Sequence, residues 1–184
     1  MKVVLRNVRL AFPALFEPKT VNGEGKPAFS ASFIMPPGHE SIAEINAAIE
    51  AVAKEKWGAK ASTTLQAIRA KGNVCLRSGD EKADYDGFEG NMYLSARSTS
   101  AVLVIDRDKA VLTERDGRPY AGCYVYATVE VWAQDNQFGK RVNAQLKGVQ
   151  FFRDGDAFAG GGSPADPDDF EDLSMGADAE DSLA

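Results

Sequence analysis

Residues 123–132 read CYVYATVEVW, and alternate positions belong to different classes. Cys123, Val125, Ala127, Val129 and Val131 fall on one side of an extended chain, with Tyr124, Tyr126, Thr128, Glu130 and Trp132 on the other. A period of two marks a half-buried strand, with one core face and one face that carries aromatics. The stretch 141–147 repeats the pattern, Val142, Ala144 and Leu146 alternating with Arg141, Asn143, Gln145 and Lys147. Gly148 then shifts the phase before Val149 and Phe151, which predicts a bulge.

Outward from these strands, further extended segments are predicted at Val3 to Phe12, Phe29 to Met35, Asn91 to Ser98 and Val102 to Ile105. In the third of them Met92, Leu94 and Ala96 oppose Tyr93, Ser95 and Arg97. Turns are predicted at Asp116-Gly117 and from Gln137 to Lys140. Between Glu40 and Lys71 the period changes. Ser41 and Glu44 have capping-box spacing, Ile42, Ile45, Ile49 and Val52 recur at helical spacing, and Gly58 supplies a stop. A second, shorter helix starts near Ser62, carries Leu65 and Ile68 on one face and ends at Gly72. Five or six strands with one helical insert fit a small β-barrel better than a sandwich, which usually needs about seven strands or more. The expected fold is therefore mainly β, an OB-fold-like barrel of five to six strands with a helical insert and a disordered acidic C-terminal tail.

The chain has 184 residues, 44% hydrophobic and 26% charged, as expected of one globular domain. The start MKVVLRNVRL has no signal-peptide pattern and no apolar run reaches membrane-span length, which predicts a soluble cytoplasmic protein. Cys75 and Cys123 lack metal or redox spacing and read as buried thiols. The net charge of −6 is unevenly placed. All ten acidic residues from Asp154 onward stand without a lysine or arginine among them, whereas the body through Arg153 holds 21 basic and 17 acidic residues. A mildly basic body thus precedes a polyanionic tail. Gly160, Gly161, Gly162, Ser163 and Pro164 form the hinge, which divides a domain at 1–159 from a disordered tail at 160–184. Within that tail Asp168, Asp169, Phe170, Glu171 and Asp172 form a short docking element for a partner, set against the simpler reading of a solubilising tail.

Signals for catalysis are weak. The single histidine, His39, follows Pro36, Pro37 and Gly38 and reads as an exposed loop residue rather than a general base. No phosphate-cradling GxxxxGK[ST] run is present. The acidic stretch Asp80, Glu81, Asp84, Asp86 fails as a calcium loop, because Lys82 and Tyr93 would occupy ligand positions. No metal or cofactor is expected. What accumulates instead is a combination suited to single strands: Tyr93, Tyr124, Tyr126 and Trp132 among Arg97, Lys140, Arg141 and Lys147. Rings stack on exposed bases, at about 1–3 kcal/mol per base, and cations neutralise phosphates. The predicted DNA contacts are Arg97, Tyr124, Tyr126, Trp132, Arg141 and Lys147, followed by Arg77 and Tyr85 from the 75–90 loop. Arg6 and Arg9 are further cations that the pattern does not place.

The segments VVLRNVRLAFPALFEP (3–18), FSASFIMPP (29–37), CLRSGDEKADYDGFEGNMYLSARS (75–98), YAGCYVYATVEVWAQDN (120–136) and GVQFFRDGDAF (148–158) together resemble the single-stranded DNA-binding proteins of tailed phages. The resemblance spans nearly the whole body and implies a non-enzymatic barrel that coats single strands during phage replication and recombination. It also implies an acidic tail that modulates binding and recruits a polymerase or helicase. One departure is the terminus, Leu183-Ala184, where such tails often end in an aromatic residue. A homodimer is compatible with the edge strands of an open barrel. Two alternatives remain: an acidic interaction module or inhibitor of a host DNA-processing enzyme, and a metal-dependent nuclease built on Asp80, Asp84 and Asp86.

Overall fold

The computed structural model describes residues 1–21 and 23–159, together with 168, 170, 171 and 173. The predicted hinge and most of the predicted disordered tail, including Asp169 and Asp172, lie outside the described residues. In chain order the elements are β1 (Lys2–Val21), β2 (Glu24–Met35), α1 (Glu40–Trp57), α2 (Ala61–Ala70), β3 (Leu76–Ser78), β4 (Met92–Ser98), β5 (Leu103–Ile105), β6 (Tyr124–Asn136) and β7 (Gly139–Arg153). The two alternating stretches are the arms of one antiparallel hairpin, β6 and β7, turning at Gln137 and Phe138. As the phase shift predicts, the ladder breaks near Gly148: Thr128 faces Gly148 while Val129 faces Leu146, so Lys147 is the extra residue of a bulge.

Strands β4, β2, β1, β6 and β7 are neighbours in that order, and a parallel contact of Arg97 with Gln145 joins β4 to β7 and closes a five-stranded barrel. The segment after α2 seals this seam. The Val142 N–H donates to the Asn73 carbonyl at 3.1 Å, the Cys75 N–H to Val142 at 2.9 Å and the Ser95 N–H to Cys75 at 3.0 Å. The short β3 and β5 attach to β4 and β7 outside the closed ring. The inward faces of β6 and β7 meet Leu5, Val8, Leu10 and Phe33 in the core, against which α1 lays Ile45, Ala48, Ile49 and Val52. Both cysteines are buried and unpaired, as expected. No described helix is long and apolar enough to cross a membrane.

Three local readings need correction. His39, not Ser41, caps α1: its Nδ1 accepts the Ser41 N–H at 3.0 Å while its Nε2 meets the Asn7 carbonyl at 3.2 Å. Ser41 is fully buried, its hydroxyl accepting the Arg6 N–H, so the capping box does not form and His39 is not an idle loop residue. Tyr93 does not face outward. It is buried with Ala11, Ile34 and Phe88 in a second apolar cluster, because the 79–91 loop covers that end of β4. β1 runs on past Phe12 and Pro13 to Val21, taking up register irregularities against β2 between Ala11 and Ala14 and again before Lys19.

After β7 the chain crosses back over the barrel as a strap, residues 154–159. Tyr120 donates its hydroxyl to the Asp154 carboxylate at 2.7 Å, and Arg9 bonds the Asp156 carbonyl at 2.9 Å and stacks on Phe158 at 4.4 Å. The Phe158 N–H reaches the Ala121 carbonyl and the Ala159 N–H the Asp86 carboxylate. Gly122, at φ +103°, is required here, since a Cβ would collide with the Asp156 carbonyl.

Candidate nucleic-acid interface

A trough of about 940 Å³ lies across the outer faces of β4, β7 and β6 and the seam between them. Its floor is made of small side chains, among them Ser30, Ser32, Ser95 and Ala96, which lets a polymer backbone approach closely. Its lining contains four cations, Arg77, Lys82, Arg97 and Arg141, and no carboxylate. Three aromatic side chains rise at its margins, Phe12, Trp132 and Phe138, exposed by 42%, 43% and 79%. Amide side chains complete the wall, with Asn143 donating to Gln134 at 2.9 Å beside Trp132.

The four cations are held differently. The Arg97 side chain makes no hydrogen bond or ion pair among the described residues. Arg141 is steadied by the Asn73 side-chain carbonyl at 3.0 Å. Arg77 is held by the Glu81 carboxylate through its Nε at 2.9 Å and its Nη2 at 2.6 Å. Lys82 sits over the rings of Phe12, Phe88 and Tyr93 at 5.2–5.8 Å, and its desolvation there, reinforced by Arg77, pulls its pKa below the usual lysine value. Burial pushes the Tyr93 phenol up, and its hydroxyl is the buried side-chain polar atom without a hydrogen-bond partner among the described residues.

Of the predicted contacts, the trough brings together Arg97, Trp132, Arg141 and Arg77. It does not include Tyr124, Tyr126 or Lys147. Tyr124 lies under the Arg153 guanidinium, 3.6 Å from the ring centre, and Tyr126 packs edge-on against Phe152 at 5.1 Å, both toward the far end of the β6 outer face. Lys147 is exposed at the bulge. Tyr85 lines a second pocket next to the trough. Arg6 pairs with Glu44 at 3.4 Å and Arg9 serves the strap, so both are committed elsewhere. In the tail, Asp168, Phe170 and Glu171 are exposed.

Three trough residues escaped the sequence reading. Phe12 adopts φ +48° at the β1 irregularity, which turns outward a ring that strict alternation leaves ambiguous. Phe138 stands at the hairpin tip, its N–H fixed by Asn136 at 2.9 Å. Its only sequence signal was a phenylalanine inside a turn. Lys82 appeared as a defect in a calcium pattern. Two carboxylates of that pattern have structural partners, Asp80 accepting from the Gly90 N–H within the loop at 2.8 Å and Asp86 from the Ala159 N–H of the strap at 3.0 Å. Among the described residues no three acidic, histidine or cysteine side chains converge as a metal site.

The family model of the single-stranded DNA-binding protein of Enterobacter phage Enc34 matches residues 1–183. The chain belongs to this family. It is 52% identical over 183 residues to protein p50 of Acyrthosiphon pisum secondary endosymbiont phage 1, covering 98% of each chain. Among solved structures it is similar to the single-stranded DNA-binding protein from bacteriophage Enc34 in complex with single-stranded DNA. The TM-score is 0.73 at 25% identity, covering 86% of this chain and 89% of that one. A C-terminal truncation of the Enc34 protein gives 0.69 at 27% identity, covering 85% and 88%. Membership in the Enc34 family bears out the resemblance read from the five sequence blocks, and the Enc34 likeness bears out the OB-fold barrel.

Proposed function

We propose that this chain binds single-stranded DNA without strong sequence preference, using the trough between β4, β7 and β6. The observation that supports it most is the charge of that trough: four cations and no carboxylate in a protein whose net charge is −6. Phosphates pass along Arg77, Lys82, Arg97 and Arg141, and bases stack on Phe12, Trp132 and Phe138. Rings read no donor or acceptor pattern, so the binding tolerates any sequence. Tyr124, Tyr126 and Lys147 extend the contact along the outer face of the hairpin, and Tyr85 extends it beyond Phe12.

In this reading the domain 1–159 coats and protects single strands during phage replication and recombination in the cytoplasm of the bacterial host. It catalyses no reaction. The tail from 160 to 184 modulates binding through its charge and offers Asp168, Asp169, Phe170, Glu171 and Asp172 to a replication protein such as a polymerase or helicase. Titration of labelled oligo-dT with and without magnesium tests the core of this proposal. Binding that leaves the oligonucleotide intact under both conditions supports it. Absence of binding would favour the interaction-module alternative, and magnesium-dependent loss of substrate a nuclease.

A further inference from the structure

Beside the trough lies a second pocket of about 560 Å³, within the roughly 300–1,000 Å³ that holds small ligands. The two share Phe12 and Ser30 in their linings, so a strand leaving the trough past Phe12 enters the pocket directly. The chemistry changes across that boundary. The trough is cationic, whereas the pocket carries one lysine, Lys19, against one carboxylate, Asp86, and is walled by the rings of Phe12, Tyr85, Phe88 and Phe158. A net-neutral aromatic pocket is a poor phosphate site and a good site for a flat, weakly polar ring.

Its walls are built and held. Phe12 and Tyr85 meet edge to face at 5.1 Å, and Phe88 lies 5.7 Å from Phe12. Phe158 comes from the strap and is fixed by Arg9 and by the Ala121 carbonyl. Gly87, at φ +84°, makes room for it, since a Cβ there would stand 2.8 Å from the Phe158 ring. Tyr85 is 52% exposed despite these neighbours, so a large aromatic surface is left open to an incoming ring.

We infer that this pocket receives one unstacked nucleobase of the bound strand, held among Tyr85, Phe12 and Phe158, so that the DNA path ends in a base-binding pocket next to the strap. The inference rests on the proposed DNA binding and adds a site to it. Three proteins, the full chain and its Tyr85→Ala and Tyr85→Phe variants, are titrated with oligo-dT across a salt series. Separately, an oligo-dT carrying 5-iodouracil is photocrosslinked to the full chain and the attachment mapped by mass spectrometry. The expected result is a roughly tenfold loss of affinity in Tyr85→Ala with an unchanged salt slope, because a stacked base and no phosphate contact is lost. Tyr85→Phe should bind like the parent, and crosslinks should fall on Tyr85, Phe12 or Phe158. Normal binding with crosslinks confined to Trp132 and Phe138, or an unaffected Tyr85→Ala, would overturn the pocket and leave the trough standing. A full chain that fails to bind would remove the DNA-binding reading and this inference with it.

Discussion

Arg97 occupies the barrel's closing seam, its backbone paired with Ser30 on β2 and Gln145 on β7. The fold thus fixes the base of this side chain from both sides and leaves its guanidinium without a partner among the described residues. Removing it should cost one phosphate contact and little stability. For Arg97→Ala we expect about fivefold weaker oligo-dT binding near 0.1 M salt and a log-log salt slope shallower by about 0.7. An unchanged slope would place the strand elsewhere. Trp132 offers an optical check. Trp57, whose indole N–H donates to Asp135 at 2.9 Å, is the other tryptophan, so Trp57→Phe leaves Trp132 as sole reporter. Its emission should fall at saturating oligo-dT, and constant emission would assign Trp132 a structural role. The buried thiols set a pH limit instead of a binding property. Burial pushes Cys75 from 9.0 up to about 12 and Cys123 up to about 11. Above pH 9 the unfolded chain ionises these thiols while the folded one keeps them protonated, so stability is full below that pH and falls as pH rises toward 11. Melting temperatures between pH 8 and 11 should drop less in Cys75→Ala/Cys123→Ala than in the parent.

At the scale of elements, the start of α1 depends on a side chain that the sequence pattern did not mark. His39 links the first turn of α1 to the Asn7 carbonyl of β1, and Asn7 itself has φ +54° at a register shift against β6. His39→Ala should therefore lower stability by about 1 kcal/mol, whereas His39→Asn, a competent N-cap, should recover most of it. Urea midpoints of the two variants measure the difference. The capping-box motif misled because Ser41 has the right spacing and the wrong environment, its hydroxyl taken up by β1. Elsewhere legibility follows how regular an element is. The hairpin β6–β7 could be read almost residue by residue, including its bulge, because one buried face imposes strict alternation. β1 could be followed only to Phe12, since the proline after it is a fair signal for the end of a central strand and here sits at an irregularity. β3 is three residues long and carries no period at all. The site divided the same way: cations and Trp132 on regular strands were legible, while Phe12, Phe138 and Lys82 depend on a bulge, a turn and a loop. Tyr93 failed because the 79–91 loop, which leads into β4, folds over the face that alternation leaves open.

For the molecule as a whole, the telling feature is how opposite charges are divided. The trough gathers four cations without a carboxylate, while ten carboxylates and no lysine or arginine follow Arg153. The strap ties residues 154–159 down beside Asp86, so the remaining chain sets out from Ala159, at the rim of the pocket that adjoins the trough. If the tail modulates binding as proposed, carboxylates joined to the body this way, at a high effective concentration near a surface suited to phosphates, compete with DNA for it. A chain ending at residue 159 should then bind oligo-dT more tightly than the full protein. The gain should be largest at low ionic strength and shrink as the Debye length falls to about 8 Å near 0.15 M salt. The salt slope sharpens the test. Four engaged cations imply about −3 for the truncated protein, whereas the full chain should show a shallower slope, because the tail already occupies part of the cationic surface that DNA must neutralise. Identical affinities and slopes at low salt would reject competition and leave a tail that acts only on solubility or partners. Phe170→Ala separates those two. If DNA frees the acidic segment to recruit a replication protein, this variant should retain full DNA affinity and lose capture of that partner on DNA-loaded beads.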